Sequence, residues 1–196
     1  LVGSEMCIRD RSKPGYDPSL FVRGFDEFTW RQIRDSADRP LVNRASDGVY
    51  PPGSTLKPFI AIVGLEENVR TPEWSMWDPG FFSLPGSQYK FRDWKKGGHG
   101  EVNMHKAIVE SVDTYFYKLA HELEIEKIHK YLDQFGFGSK TGIDLPREAT
   151  GIAPSKEWKR RRFGIPWYPG DTISVGIGQG YNLVTPLQLA VATAAL

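Results

Sequence analysis

Apolar residues recur at helical spacing over several stretches of the chain, and strand-like alternation is scarce. Residues 54–68 carry apolar side chains on successive helical turns, directly after the sharp turn Pro51-Pro52-Gly53. Asn103 is a favourable N-cap residue for a second helical stretch, and residues 125–135 show the same spacing again. The pattern therefore predicts a chain whose recognisable elements are mainly helices.

Shorter elements are predicted on either side of these helices. Residues 26–35 and residues 155–162 can each form a short helix, and we expect the second, which is basic, to expose a solvated face. Thr185-Pro186 places an N-cap residue and a proline at the start of an apolar helix. Residues 173–180, where isoleucine and valine lie among glycines, are predicted to form a strand or an extended segment.

An irregular, aromatic-rich segment separates the first two helices. Between residues 72 and 100, aromatic side chains lie among prolines and glycines, which is typical of a loop that packs over a core or lines a groove. The segment also contains Asp78, Asp93 and His99, which are residue types that bind zinc. The alternative is that these side chains only form hydrogen bonds within the loop.

The composition is that of an ordinary folded domain. The chain has 196 residues, of which 40% are apolar and 25% are charged, so a single domain with a real core is expected. The net charge of +1 gives no reason to expect nucleic acid as a partner. The apolar runs are much shorter than the roughly 20 residues that a membrane-spanning helix needs.

The two ends of the sequence differ from its middle. Residues 1–12 show no periodicity and contain the single cysteine, Cys7, so we expect an extraneous or disordered leader there. The apolar helix predicted after Pro186 reaches Leu196 without a glycine, a proline or a basic last turn to end it. We therefore expect residues 13–196 to be part of a larger domain.

The first candidate for chemistry is Ser54-Thr55-Leu56-Lys57, at the start of a predicted helix. A serine hydroxyl becomes a nucleophile when a base takes its proton, and residues three apart on a helix share a face. The Lys57 amine can therefore reach the Ser54 oxygen, and backbone N–H groups at the helix N-terminus favour developing negative charge. The alternative is that Ser54 only caps the helix and Lys57 is solvated.

The second candidate is Ser111-Val112-Asp113. Residues two apart on a continuous helix do not share a face, so the helix has to break here if both polar side chains converge on one site. Ser111 would then relay a proton, and Asp113 would orient Lys57 or hold substrate. The alternative is that both residues belong to the polar face of an amphipathic helix.

Taken in order, these motifs resemble the Ser-x-x-Lys and Ser-x-Asn/Asp pattern of serine-based, penicillin-recognising enzymes. Longer segments are similar to the transpeptidase domain of class B penicillin-binding proteins, and several of them to the elongation-specific members. The resemblance covers about residues 13–196. The similar segments are residues 16–18 (YDP), 41–45 (LVNRA), 48–58 (GVYPPGSTLKP), 78–80 (DPG), 92–96 (RDWKK), 98–100 (GHG), 113–117 (DTYFY), 141–146 (TGIDLP), 166–172 (PWYPGDT) and 176–181 (GIGQGY).

The resemblance implies a peptidoglycan D,D-transpeptidase of the α/β (α+β) class. The implied fold is the one shared by penicillin-binding proteins and serine β-lactamases, present here mostly as its helical part. By this resemblance Ser54 attacks the penultimate D-Ala carbonyl of a stem peptide, Lys57 is the base and Ser111 relays the proton, with Asp113 completing the catalytic set. β-Lactam antibiotics are expected to acylate Ser54.

The resemblance also implies a cellular setting. It places the protein at the periplasmic face of the inner membrane, with an anchor outside this sequence. The expected substrate is the peptidoglycan stem peptide, and the expected protein partner is a polytopic glycosyltransferase of the elongation complex. Two alternatives stay open, namely a catalytically inactive penicillin-binding scaffold and a serine β-lactamase, although the Glu-x-x-Leu-Asn element of class A β-lactamases is absent from the sequence.

Two details of the sequence depart from the family pattern. The family's third motif, Lys-Ser/Thr-Gly, follows the Gln-Gly-Tyr segment, whereas Lys140-Thr141-Gly142 precedes that segment and lies in a glycine-rich turn. We therefore reject it and expect the third motif, with its strand, beyond Leu196. Some relatives complete a zinc site with a cysteine in the second motif, where this chain has Val112. No cofactor is therefore expected, and Asp78, Asp93 and His99 stand only as zinc candidates.

Overall fold

The computed structural model describes residues 13–145 and 147–196, and the predicted leader with Cys7 lies outside the described residues. The helices are α1 (Ser19–Arg23), α2 (Glu27–Arg34), α3 (Lys57–Glu66), α4 (Met104–Val109), α5 (Asp113–Gln134), α6 (Lys156–Phe163), α7 (Pro169–Val175) and α8 (Pro186–Ala194). A short 3-10 helix, Gly53–Leu56, leads directly into α3. The strands are β1 (Ser75–Asp78), β2 (Phe81–Phe82), β3 (Phe91–Arg92) and β4 (Gly100–Asn103).

Helix α5 lies at the centre of the core and packs against α3 and α7. A Cβ atom at Gly64 of α3 would lie only 3.0 Å from the Leu119 side chain, so the glycine lets the two helix axes approach closely. On the α7 side, Gly176 faces Ala120 in the same way. The fully buried apolar side chains of this core are Phe59, Ile60, Val63, Phe116, Leu119, Leu123, Ile125 and Ile128.

Two small antiparallel sheets form within the segment that the sequence predicts to be irregular. Strand β1 pairs with β4, with Asp78 opposite Gly100, and β2 pairs with β3. Both sheets contact α5. Of the two alternatives that the sequence left open for the aromatic-rich segment, packing over the core and lining a groove, the structure shows the first. The β1–β4 pairing brings Asp78 next to His99, which precedes β4 directly.

The helix breaks around Ser111 and Asp113, as convergence of their side chains on one site requires, so the alternative of a continuous amphipathic helix is wrong. Helix α4 ends at Val109 and α5 begins at Asp113. Between them Ser111 has a φ of 53°, a left-handed conformation that is uncommon for a residue other than glycine. The break turns the chain so that Ser111 and Asp113 can point to the same place.

The predicted strand at residues 173–180 is wrong, because residues 169–175 form helix α7. Pro169 occupies the first helical turn, and the Asp171 carboxylate accepts a hydrogen bond from the Tyr168 N–H at 2.7 Å, which satisfies the free backbone donor at the helix start. Burial of Ile173 and Val175 against α5 outweighs the strand preference of β-branched residues.

The architecture agrees with the expected mixed α/β class, in which helices dominate and strands are short. Helix starts predicted from N-cap residues are confirmed at Asn103 and Thr185, whose side chains each accept a backbone hydrogen bond. Ser155, which the sequence places inside the short helix 155–162, is the N-cap of α6 in the same way. Within the described ranges, no helix combines the length and hydrophobicity that crossing a bilayer requires.

Candidate active site

Ser54 and Lys57 face the same site from adjacent short helices. Ser54 lies in the first turn of the 3-10 helix and is exposed, where its backbone N–H has no helical acceptor. The backbone N–H of Lys57 donates to the backbone carbonyl of Ser54, which fixes the spacing of the two residues. The Lys57 side chain is buried, with only 1% of the residue exposed. The turn thus presents an exposed hydroxyl above a buried amine.

The Lys57 ammonium group is held by three acceptors that belong to the second motif. Its Nζ atom donates to the Asp113 carboxylate at 2.6 Å, to the Ser111 carbonyl at 2.8 Å and to the Ser111 hydroxyl at 3.0 Å. All three donors of the amine are therefore satisfied, as burial of a charged group requires. The arrangement excludes the alternative in which Lys57 is a solvated surface lysine.

Ser111 joins the nucleophile candidate to the lysine. Its Oγ atom lies 2.9 Å from Ser54 Oγ and 3.0 Å from Lys57 Nζ. The contact between Ser54 and Lys57 therefore passes through Ser111, whereas the sequence led us to expect that the amine reaches Ser54 directly. Backbone strain of the kind seen at Ser111 is often found at active sites, where surrounding contacts hold the residue in place.

The four predicted site residues are thus brought together, although Ser54 and Lys57 are separated from Ser111 and Asp113 by more than fifty positions. The side chains form a continuous hydrogen-bonded path from Ser54 through Ser111 to Lys57. At the end of this path the Lys57 amine donates to the Asp113 carboxylate. A path of this kind can move a proton away from a serine oxygen as that oxygen attacks a carbonyl carbon.

The acid–histidine cluster, defined as Asp78, Asp93 and His99, is buried beside the start of α5. His99 Nδ1 lies 2.8 Å from Asp78 Oδ2 and 3.6 Å from Asp93 Oδ1. The other oxygen of Asp93 accepts a hydrogen bond from the Thr114 N–H, next to Asp113. The cluster therefore braces the loop against the helix that carries Asp113.

Hydrogen bonds keep the Asp78 carboxylate ionised in its buried position. Burial by itself acts to raise the pKa of Asp78, but the hydrogen bonds that the carboxylate accepts, among them those from the Gly80 and His99 N–H groups, hold that pKa below its ordinary value.

The three cluster side chains offer ligand atoms within 4.8 Å of one another. A closed structural zinc site takes four protein ligands. His99 Nε2 is buried without a hydrogen-bond partner, and Glu110 Oε2 lies 3.9 Å away from it, beyond bonding distance. Val112 offers only hydrocarbon, so the donor set does not fit a closed zinc site.

Two further observations refine the sequence predictions. The Thr141 N–H and hydroxyl both donate to the Glu148 carboxylate at 2.6 Å, so the Lys140-Thr141-Gly142 turn serves a local structural role. Sequence reasoning missed that the Trp94 indole N–H donates to the Glu110 carbonyl at 3.2 Å, directly before Ser111. No local pattern could have paired residues from two different segments.

Comparisons with known proteins agree with this geometry. The family described as penicillin binding protein transpeptidase domain matches residues 11–196. The Acinetobacter baumannii protein named peptidoglycan D,D-transpeptidase MrdA is 54% identical over 183 residues, which cover 93% of this chain and 27% of that protein. The chain thus spans about a quarter of the length of this curated relative.

Solved structures show the same fold. The chain matches Pseudomonas aeruginosa PBP2, solved in complex with WCK 5153, with a TM-score of 0.91 and 49% identity over 94% of this chain and 42% of that one. It matches Helicobacter pylori PBP2, solved in a complex with MreC, with a TM-score of 0.87 and 45% identity over 91% of this chain and 33% of that one. By sequence profile, identity and fold, this chain belongs to the penicillin-binding protein transpeptidase domain family.

Proposed function

We propose that this chain carries the acylation centre of a serine-type peptidoglycan D,D-transpeptidase. The observation that carries the proposal is the hydrogen-bonded path from Ser54 through Ser111 to Lys57, with Asp113 bound to the lysine. The name of the Acinetobacter relative, which is 54% identical, supports the same activity.

Acylation follows from this geometry. Ser54 Oγ attacks the carbonyl carbon of the penultimate D-Ala of a stem peptide, while its proton passes to Ser111 Oγ and the Ser111 proton passes to Lys57 Nζ. Because an ammonium group cannot accept a proton, Lys57 first releases one proton to solvent and enters this step as the neutral amine. The Ser54 backbone N–H stabilises the oxyanion as one donor of the oxyanion hole. The C–N bond to the terminal D-Ala then breaks, and Ser111 delivers a proton to the departing amine.

The second half of the reaction resolves the acyl-enzyme. An amine from a neighbouring stem peptide attacks the ester carbonyl, a new amide forms, and Ser54 recovers its proton along the same path. A β-lactam presents a strained amide to the same serine and leaves it as a stable ester. Cross-linking of peptidoglycan during cell elongation is therefore the proposed role.

A fluorescent penicillin tests this proposal on the gene product at its natural length. We expect one covalent label per chain, retained after free penicillin is removed, and no label in Ser54→Ala. Thr55→Ala is the matched control, because the Thr55 hydroxyl donates to the Pro52 carbonyl and takes no part in the path. It should label at the wild-type rate.

Three results would contradict the proposed activity. Labelling that persists in Ser54→Ala would remove Ser54 as the nucleophile. Rapid hydrolysis of the penicillin by the wild-type protein would favour a β-lactamase, because the ester would then be open to water. Absence of label in the wild-type protein would favour a non-catalytic scaffold.

The same proposal extends to the cellular setting. We propose that the whole protein works at the periplasmic face of the inner membrane and assembles with a polytopic glycosyltransferase. The Helicobacter pylori relative solved in complex with MreC supports assembly with partner proteins in this family. Recovery of the glycosyltransferase with the natural-length protein from solubilised inner membranes tests both statements, and its absence after mild cross-linking would contradict them.

We also propose that the acid–histidine cluster works without zinc and braces the loop by hydrogen bonds. Replacement of Val112 by cysteine should add a fourth ligand type and raise zinc affinity by orders of magnitude, because thiolates are strong zinc ligands. Metal analysis of both proteins after equilibration with zinc and dialysis measures the difference. One tightly held zinc per wild-type chain would contradict the proposal.

A further inference from the structure

Lys159 is a buried lysine in a helix that the sequence predicts to expose a solvated basic face. Only 1% of Lys159 is exposed, whereas the side chain of Arg161 on the same helix is 73% exposed. The Lys159 Nζ atom donates to the Asp171 carboxylate at 2.5 Å, and that carboxylate also accepts from the Tyr168 N–H. The buried charge is therefore tied to the first turn of α7.

An aromatic cage surrounds this ammonium group. Lys159 Nζ lies 4.6 Å from the ring centre of Tyr168, 5.4 Å from that of Tyr181 and 5.8 Å from that of Trp167. Cation–π attraction is strong where the cation is removed from water. Burial acts to lower the pKa of Lys159, but the Asp171 carboxylate and the Tyr181 hydroxyl raise it above its ordinary value, so the amine stays protonated.

Tyr181 links the cage to the glycine turn, which we define as residues 176–181. Its ring packs against Trp158, Phe163 and Trp167 with ring centres 5.3 to 6.1 Å apart. The turn is thus held at its start by α7, which Asp171 anchors, and at its end by Tyr181. Both anchors converge on Lys159.

The middle of the glycine turn supports the residue that precedes the nucleophile. The Gly53 N–H donates to the Gly178 carbonyl at 2.9 Å. A Cβ atom at Gly178 would lie 2.2 Å from the Gly53 oxygen, so the two backbones are in direct contact. Just beyond the turn, Tyr50 and Val184 exchange a pair of backbone hydrogen bonds, which join the segments that flank the two glycines. The position of Ser54 therefore depends on where the glycine turn lies.

We propose that Lys159 is a positioning residue for acylation, because its caged ammonium group holds the glycine turn that supports Gly53 and thereby sets the position of Ser54. This inference rests on the proposed function for its kinetic part. Its structural part, the linkage from Lys159 to the Gly53 amide, stands independently. Among the described residues, no hydrogen bond, ion pair or ring contact joins the cage to the hydrogen-bonded path itself.

The test uses Lys159→Met in the natural-length gene product, with acylation by fluorescent penicillin measured under single-turnover conditions. We expect the acylation rate constant of the folded fraction to fall about 10- to 100-fold, because small displacements of a reacting group have effects of this size. The dissociation constant of the non-covalent complex should change little. A protein that had only lost stability would show a smaller labelled fraction with a normal rate constant.

Hydrogen exchange at the Gly53 amide gives a second readout that does not depend on activity. We expect faster exchange in Lys159→Met, since the Gly178 carbonyl no longer stays in place. Arg161→Met is the matched control on the exposed face of the same helix, and it should leave both readouts unchanged. Gly178→Ala displaces Gly53 directly and should reproduce the slow acylation with Lys159 present.

The outcomes separate this proposal from the proposed function. Normal acylation in folded Lys159→Met, or unchanged exchange at Gly53, overturns the positioning role. If wild-type protein fails to label, the proposed function fails, and exchange at Gly53 alone decides whether the linkage exists. Should Lys159→Met not fold, Asp171→Asn weakens the same anchor while keeping an acceptor for Tyr168, and it must show the same changes in smaller measure.

Discussion

At the scale of single residues, the site depends on a charged pair that is almost removed from water. The side chains of Lys57 and Asp113 are 2% and 18% exposed, and their charges meet at 2.6 Å. Removing one partner of such a pair leaves the other charge buried and uncompensated, which costs much more than losing a surface pair. Asp113 therefore supports the fold as well as the proposed chemistry.

The corresponding prediction compares a buried pair with an exposed one. Asp113→Ala should lower the free energy of unfolding by about 3 kcal/mol, because Lys57 loses its counter-ion. Glu27→Ala removes the partner of Arg31 in an exposed pair and should have no measurable effect. Urea unfolding followed by fluorescence measures both variants. Equal effects would show that Lys57 finds water or another partner when Asp113 is gone.

At the scale of elements, α5 is interrupted at a position that favours glycine. Glu124 has φ 64° and ψ 162°, which is a region essentially restricted to glycine, while its neighbours Leu123 and Ile125 are fully buried. Packing of both halves of α5 against the core holds Glu124 in this conformation. The helix spacing predicted separately for residues 125–135 reflects this break.

Glu124→Gly should therefore stabilise the protein by about 1 kcal/mol, because relief of backbone strain exceeds the entropy lost by a glycine. Lys130→Gly is the control at an exposed helical position of the same element, and it should destabilise by about 1 kcal/mol. Thermal and urea unfolding of the two variants should show changes in the free energy of unfolding of opposite sign. A destabilised Glu124→Gly variant would contradict this account.

At the scale of the whole molecule, the site is assembled from segments that lie far apart in sequence. The 3-10 helix supplies Ser54, the break between α4 and α5 supplies Ser111 and Asp113, and the glycine turn supports Gly53 from behind. The central helix α5 contacts α3, α7 and both sheets, so it fixes these parts relative to one another. Site geometry is therefore a property of the core, and damage to the core should reduce activity and stability together.

The sequence by itself determined the features that depend on short-range interactions. Local capping determined the helix starts at Asn103 and Thr185. Local spacing placed Ser54 and Lys57 on one face, and it required a break near Ser111 if Ser111 and Asp113 were to reach the same site. The motif order also indicated the family. These features involve residues within a few positions of one another, where backbone geometry alone decides the outcome.

Only the tertiary structure decided which distant groups meet. It routed the contact between Ser54 and Lys57 through Ser111, made residues 169–175 helical despite their β-branched side chains, and buried Lys159 beside Asp171. In each case contacts with another segment of the chain outweighed what the local pattern favours: hydrogen bonds at Ser111, apolar burial in α7 and the ion pair with Asp171 at Lys159. The basic residues 156–162 and the β-branched residues within 173–177 do not themselves indicate which groups will cover them, because the covering groups come from elsewhere in the chain.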